Sequence, residues 1–175
     1  MAQRTKTPKS AAKPVGATDP YPLKSGKKYT SAGIPVESLD PSFSRADVVF
    51  DGLDHGGMSF EGRVFLNNGA ADEKTAQTPE FGYAGSFHIF GHGGCFGDDP
   101  SHCEVRKAPR MYDPRPSHAL TPAQKVVIAT EAVRQAISAG KPVTVTVVPV
   151  VRADTPKGDF EEVLKFDKLT IVTYV

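Results

Sequence analysis

The chain has 175 residues, 39% of them hydrophobic, with no Trp, 16 Gly and 15 Pro. That length suits one domain with a core plus a tail, and so much Gly and Pro favours short elements joined by turns over long helices. Two cysteines are too few for a disulfide scaffold, no apolar run approaches the ~20 residues of a membrane span, and the basic start lacks the apolar region of a signal peptide. The default expectation is a cytoplasmic protein that does not engage a membrane, with export alongside a partner as the alternative.

The net charge of +1 is unevenly spread. Residues 1–28 hold seven basic and one acidic residue (+6), and the remainder holds 14 basic and 19 acidic (−5). The basic stretch lacks the aromatic or Arg-rich pattern of a nucleic-acid binder. Residues 1–43 therefore read as a solvated Lys- and Pro-rich tail or arm, lying across the body near Tyr29–Leu39. Residues 44–175 read as the folded domain.

Along that domain the first predicted strand is Asp47–Leu53. A turn, HGGM, follows, and then a strand at Ser59–Asn67. There Phe60, Val64 and Leu66 share one parity, and Glu61, Arg63 and Phe65 the other. A polar loop leads to a third strand, Tyr83–Phe90. From Gly91 to Ser117 there is no periodicity, and loops of that length are uncommon outside functional or disordered segments. The spacing then predicts one helix, about 122–139. Thr121 is its N-cap, Pro122 takes the first helical position and Gln124 completes a capping box. Val126, Thr130, Val133 and Ile137 form its buried stripe, widened by Ala129 and Ala136, and Gly140 supplies the left-handed stop. Pro142–Arg152 is a β-branched strand in which Pro149 signals an edge or a bulge. Leu164–Val175 is the last strand, with Phe166, Ile171 and Tyr174 as anchors. Strand-rich order with one late helix predicts a mainly β fold, an antiparallel β-sandwich with a single covering helix.

The long loop gathers the chemistry. It holds His92, Cys95, His102 and Cys103. Oxidised, Cys95 and Cys103 would staple a nine-residue segment, worth about 2.6 kcal/mol in the chain-entropy model. Reduced, the same four residues offer two sulfurs and two nitrogens, a donor set for copper or zinc. Both readings stay open. His55 and Met58 would add ligands if their turn lies beside the loop; otherwise HGGM is a Gly-Gly hairpin turn. His88 stands on a strand, where a half-buried structural histidine is the simpler reading, and His118 reads as polar loop surface. Asp98 and Asp99, in DDP, read as a turn. No G-x-S-x-G elbow or H-E-x-x-H helix is present.

The order of elements resembles the C-terminal β-sandwich domain of type-3 copper proteins, the tyrosinases, polyphenol oxidases and haemocyanins. The resemblance rests on Gly62–Asn67 (GRVFLN), Tyr83–His92 (YAGSFHIFGH), the helix after Leu120, Val143–Val148 (VTVTVV) and Lys165–Val175 (KFDKLTIVTYV). It spans roughly residues 46–175. The KFD triplet is similar to a plant polyphenol oxidase motif, here placed in the last strand. A type-3 copper centre takes six histidines from a helical bundle. This chain has five in all, and none in the expected helix. The resemblance therefore implies an accessory domain or subunit without oxidase chemistry of its own. It would cap, regulate or copper-load a tyrosinase-like catalytic domain, with self-association as a further possibility. It also implies a side chain inserted as a substrate mimic, for which Phe96 is the first candidate and Tyr112 the reserve. The alternatives are an independent copper or zinc protein built on the His92–Cys95–His102–Cys103 loop, and a structural sandwich whose loop is only stapled.

Overall fold

The structure is a computed structural model that describes residues 22–35, 37, 39, 42–91, 122–155 and 160–175. Its strands are β1 (Leu23–Ser25), β2 (Tyr29–Thr30), β3 (Arg45–Leu53), β4 (Phe60–Leu66), β5 (Tyr83–Ile89), β6 (Ala123–Ile128), β7 (Val145–Arg152) and β8 (Lys168–Tyr174), with one helix, α1 (Thr130–Ser138). They form two antiparallel sheets. One runs β1-β7-β4-β5, with β2 also on the outer side of β7, and the other runs β6-β3-β8. The mainly β sandwich with one helix is as the sequence predicts.

The arm does lie across the body. Tyr29 pairs with Val147, Ile34 bridges Val143, and Leu39 is buried. Pro149, expected to mark an edge or a bulge, marks neither: β7 lies between β1/β2 and β4 and keeps unbroken register with β4 through Pro149. Its carbonyl accepts from Gly26 N at 3.0 Å, so its backbone faces the break between β1 and β2. Carbonyl and N–H of one strand residue point to the same side, so no strand donor is missed there.

The predicted helix over 122–139 needs correction. Residues 123–128 are the strand β6, and the helix begins only at Thr130. Val126, assigned to a buried stripe, is exposed, whereas Val127 is buried. Gln124 caps nothing; its Nε2 donates to Asp51 Oδ1 at 2.6 Å. The Val126–Val127–Ile128 run is β-branched and suits a pleated surface better than a helix, and pairing with β3 decides it. Val133 and Ala136 of α1 are buried, and Gly140 has the expected left-handed backbone, φ 65°.

The core lies between the sheets, closed at one end by α1 against β3, β4 and β5. Phe50 and Phe87 pack tilted at 47°, with 4.7 Å between centroids, and Phe166 meets Phe50 edge-on at 5.6 Å. Gly62 is required beneath the Phe87 ring, since a Cβ there would sit 2.3 Å from its tip. Tyr174, expected as an anchor, instead lies exposed with the Arg45 guanidinium 5.5 Å from its ring centroid. The bidentate bond to buried Asp47 raises the Arg45 pKa above its ordinary value.

A second, smaller cluster covers the outer face of the larger sheet: Phe65, Ala71, Val148 and Val150, with Tyr83 against it. The loop 67–82 forms this cover. Arg63 ties it down, pairing with Glu61 at 2.9 Å and donating to the Glu73 carbonyl at 2.9 Å. Lys28 Nζ donates to the carbonyls of Gly69 and Ala71. Hence β7 is buried on both faces. No helix among the described residues is long and apolar enough to cross a membrane.

Candidate functional site

The loop-bearing end of the sandwich is where three irregular segments meet. The first is the turn between β3 and β4. Gly52 enters it with φ 72°, and a side chain there would collide with the Asp167 carboxylate. Asp54 Oδ1 then accepts from Gly56 N at 2.8 Å, an Asx-type turn. The second is the break between β1 and β2. Gly26 packs so close to the Phe160 carbonyl that a Cβ would lie 2.1 Å from its oxygen. The third is the approach to β8, held by Lys27 N donating to Glu161 O at 2.9 Å and Asp54 N donating to Lys165 O at 3.0 Å. Lys24 Nζ lies 4.0 Å from the Phe160 ring centroid, a cation–π contact.

Between these segments lies an open cavity of about 800 Å³. Met58, Phe160 and Val163 give it an apolar floor, and Lys27, Lys165, Asp54, Glu161 and Glu162 a rim of both charges. Such a lining suits an amphiphilic ligand or a protein side chain with a charged tip. Among the described residues that line it there is no cysteine or histidine.

The root of the long loop is built into this end. Gly91 packs on the turn, its α-carbon facing the Gly57 carbonyl and the Met58 backbone, and its N–H donates to Ser59 Oγ at 3.0 Å. The loop's first residue thus lies against the turn of His55 and Met58, while the residues that would share a metal with them lie outside the described residues. Met58 lines the cavity, while His55 sits half-buried in the same turn without lining it. His88 is elsewhere. It is exposed on β5 opposite Glu61, on the outer face of the larger sheet. Among the described residues no three His, Cys, Asp or Glu side chains converge as a metal site. His92, Cys95, Phe96, His102, Cys103, Tyr112 and His118, with Asp98, Asp99 and Thr121, lie outside the described residues.

Sequence reasoning missed the charged rim. Lys27, Glu161 and Glu162 stand in stretches without periodicity, where only the fold brings them together. The KFD triplet was the nearest signal, since Lys165 lines the cavity and Asp167 packs on Gly52. Compared with family models, with curated proteins and with solved structures, the chain matches none.

Proposed function

We propose that this chain is a non-catalytic accessory domain or subunit that presents its loop end to a tyrosinase-like oxidase domain, capping it or loading its copper. The observation that carries this reading is the seat of Gly91 on the Gly57–Ser59 turn. It roots the His- and Cys-bearing loop at the rim of the mixed-charge cavity. The resemblance to the type-3 copper C-terminal domain supports it further. Three of the blocks that carry it are neighbours, with β4 between β5 and β7. The test is a catechol oxidation assay with a tyrosinase catalytic domain stripped of its own C-terminal domain. The chain should not oxidise catechol alone with added copper, and should lower the turnover of that domain in proportion to its concentration. Robust turnover by the chain alone, or no effect on the partner, defeats the proposal.

Met58 favours a second reading, an independent copper or zinc site. Thiolate and thioether donors suit Cu(I), and a thioether stands at the root of a loop that carries two cysteines and two histidines. His92, Cys95, His102 and Cys103, with Met58, would hold the ion. Metal titration of the reduced protein against the Cys95→Ser/Cys103→Ser double variant decides it. Equal uptake by the two proteins removes the thiol site.

A further inference from the structure

The edge of β8 is built differently from the two edges of the larger sheet, β1/β2 and β5. Its partner strand fixes the phase. Ala129 N donates to Ala46 O, so the even-numbered residues of β3 direct their backbone groups toward β6, and the odd-numbered ones toward β8. Arg45, Asp47, Val49 and Asp51 lie opposite Tyr174, Val172, Thr170 and Lys168. The N–H and C=O groups of Leu169, Ile171 and Thr173 therefore point away from the sheet, and no described strand pairs with β8 on that side.

Protein edges are normally blunted by charge, proline, bulges or brevity. The β1/β2 edge is short and interrupted, with Lys24, Lys27 and Lys28 along it. The β5 edge has a register shift and a Gly85 at φ 133°, and packs against Val127 of β6. By contrast β8 contains no Pro or Gly, keeps unbroken register with β3, and has Lys168 as its one charged residue. On the outer face of this sheet Tyr174 of β8 is 45% exposed, and Val126 and Ile128 of β6 are 45% and 63% exposed, alongside the charged Arg45 and Lys168.

We infer that β8 pairs edge to edge with β8 of a second copy of this chain, antiparallel about a two-fold axis through Ile171. This surface does not depend on the proposed accessory role. A row of unpaired backbone groups takes an extended strand, and the sequence of β8 complements itself in one full-length register. There Leu169 exchanges hydrogen bonds with Thr173 of the second copy, and Ile171 with its own counterpart. On the outer face Thr170 meets Val172, and Lys168 meets the Tyr174 ring, a cation–π pair. Between the two β8 strands no like charges face each other, and Arg45, beside Tyr174, is already paired with Asp47; a parallel in-register pairing would set Lys168 against Lys168 and cannot close by two-fold symmetry. The product is a continuous six-stranded sheet, β6-β3-β8 doubled.

Analytical ultracentrifugation of the full chain tests this. The wild type is expected to be a dimer at micromolar concentration. Thr173→Pro removes an outward N–H that β3 does not use, so the β3–β8 ladder survives. The dimer dissociation constant should rise on the order of a hundredfold, since symmetry loses the bond twice. Should that variant fail to fold, cross-linking decides. Thr170→Cys mixed with Val172→Cys should give a disulfide joining 170 to 172, identified by peptide mass, and neither variant alone should form a 170–170 or 172–172 link. A wild type that stays monomeric at high concentration overturns the inference. So does a Thr173→Pro dimer of undiminished affinity, or a mixture that yields no 170–172 link.

Discussion

Gly91→Ala is the most direct test of how the loop is rooted. A Cβ at position 91 would lie 2.1 Å from the Gly57 oxygen, 2.5 Å from the Met58 carbonyl carbon and 2.7 Å from the Met58 oxygen. All three are backbone atoms, so no side chain can swing aside. Relief requires a shift of about 1 Å, either of the turn or of residue 91, since carbon and oxygen in contact normally stay beyond about 3 Å. Forced overpacking costs about 1–3 kcal/mol. A withdrawal of residue 91 also breaks its bond to Ser59 Oγ, 3.0 Å long, worth about 1 kcal/mol. The site is near the surface and relaxes in part, so the expected loss is about 2 kcal/mol. Urea unfolding followed by circular dichroism measures it. Ser59→Ala removes the bond without the clash and should cost about 1 kcal/mol. The double variant should cost less than the sum of the two, because each breaks the same contact. If Gly91→Ala unfolds within about 0.5 kcal/mol of the wild type, residue 91 does not rest on the turn and the site loses its anchor.

Three further outcomes follow from the packing. Thr170 Oγ1 is buried without a hydrogen-bond partner, so Thr170→Val, nearly the same shape, should raise stability by about 1 kcal/mol in the same unfolding assay. Arg63→Met should lower it by about 3 kcal/mol, because the buried guanidinium both neutralises Glu61 and holds the Glu73 carbonyl, and loosening of the 67–82 loop should appear as faster amide exchange there. The Asp72 carboxylate accepts from Thr75 Oγ and the Lys74 N–H, which hold its pKa below the ordinary value. A depressed folded pKa stabilises above the unfolded value and is lost as pH falls through the folded one. Asp72→Asn should therefore flatten stability below about pH 4 and leave the neutral-pH baseline slope unchanged.

The five predicted strands were legible from β-branched and aromatic runs bounded by turn residues, and in β4 also from alternation. In β4, Phe60, Val64 and Leu66 face the core while Glu61 and Arg63 do not. Residues 122–139 misled because local and tertiary signals conflict. Thr-Pro-Ala-Gln spells a helix start, yet Val126–Ile128 has strand chemistry, and only the availability of β3 as a partner settles which wins. The outer cluster around Phe65 was illegible for a related reason. Its cover comes from loop 67–82, whose polar sequence gives no hint that Ala71 is buried. Of the site, the sequence offered the HGGM turn and the loop beside it. The charged rim stayed hidden because a cavity depends on where unpatterned segments end up, not on their period.

The two surfaces proposed for this chain are compatible, and their geometry makes a joint prediction. The cavity lies at the Lys168 end of β8, since Lys165 lines it, whereas the Tyr174 end abuts Ser44, at the start of β3. Antiparallel pairing sets the Lys168 end of one copy beside the Tyr174 end of the other. Each loop end then points away from its counterpart, and neither blocks the other. A dimer joined at β8 is thus bivalent, with one docking end at each pole, and a partner oxidase domain should bind it as two per dimer. Light scattering of the complex checks this. One partner per dimer would mean that the poles are not independent, and the edge pairing would then have the wrong geometry. Two partners per wild-type dimer, and one per Thr173→Pro monomer with unchanged affinity, is the pattern that separate loop and edge surfaces require.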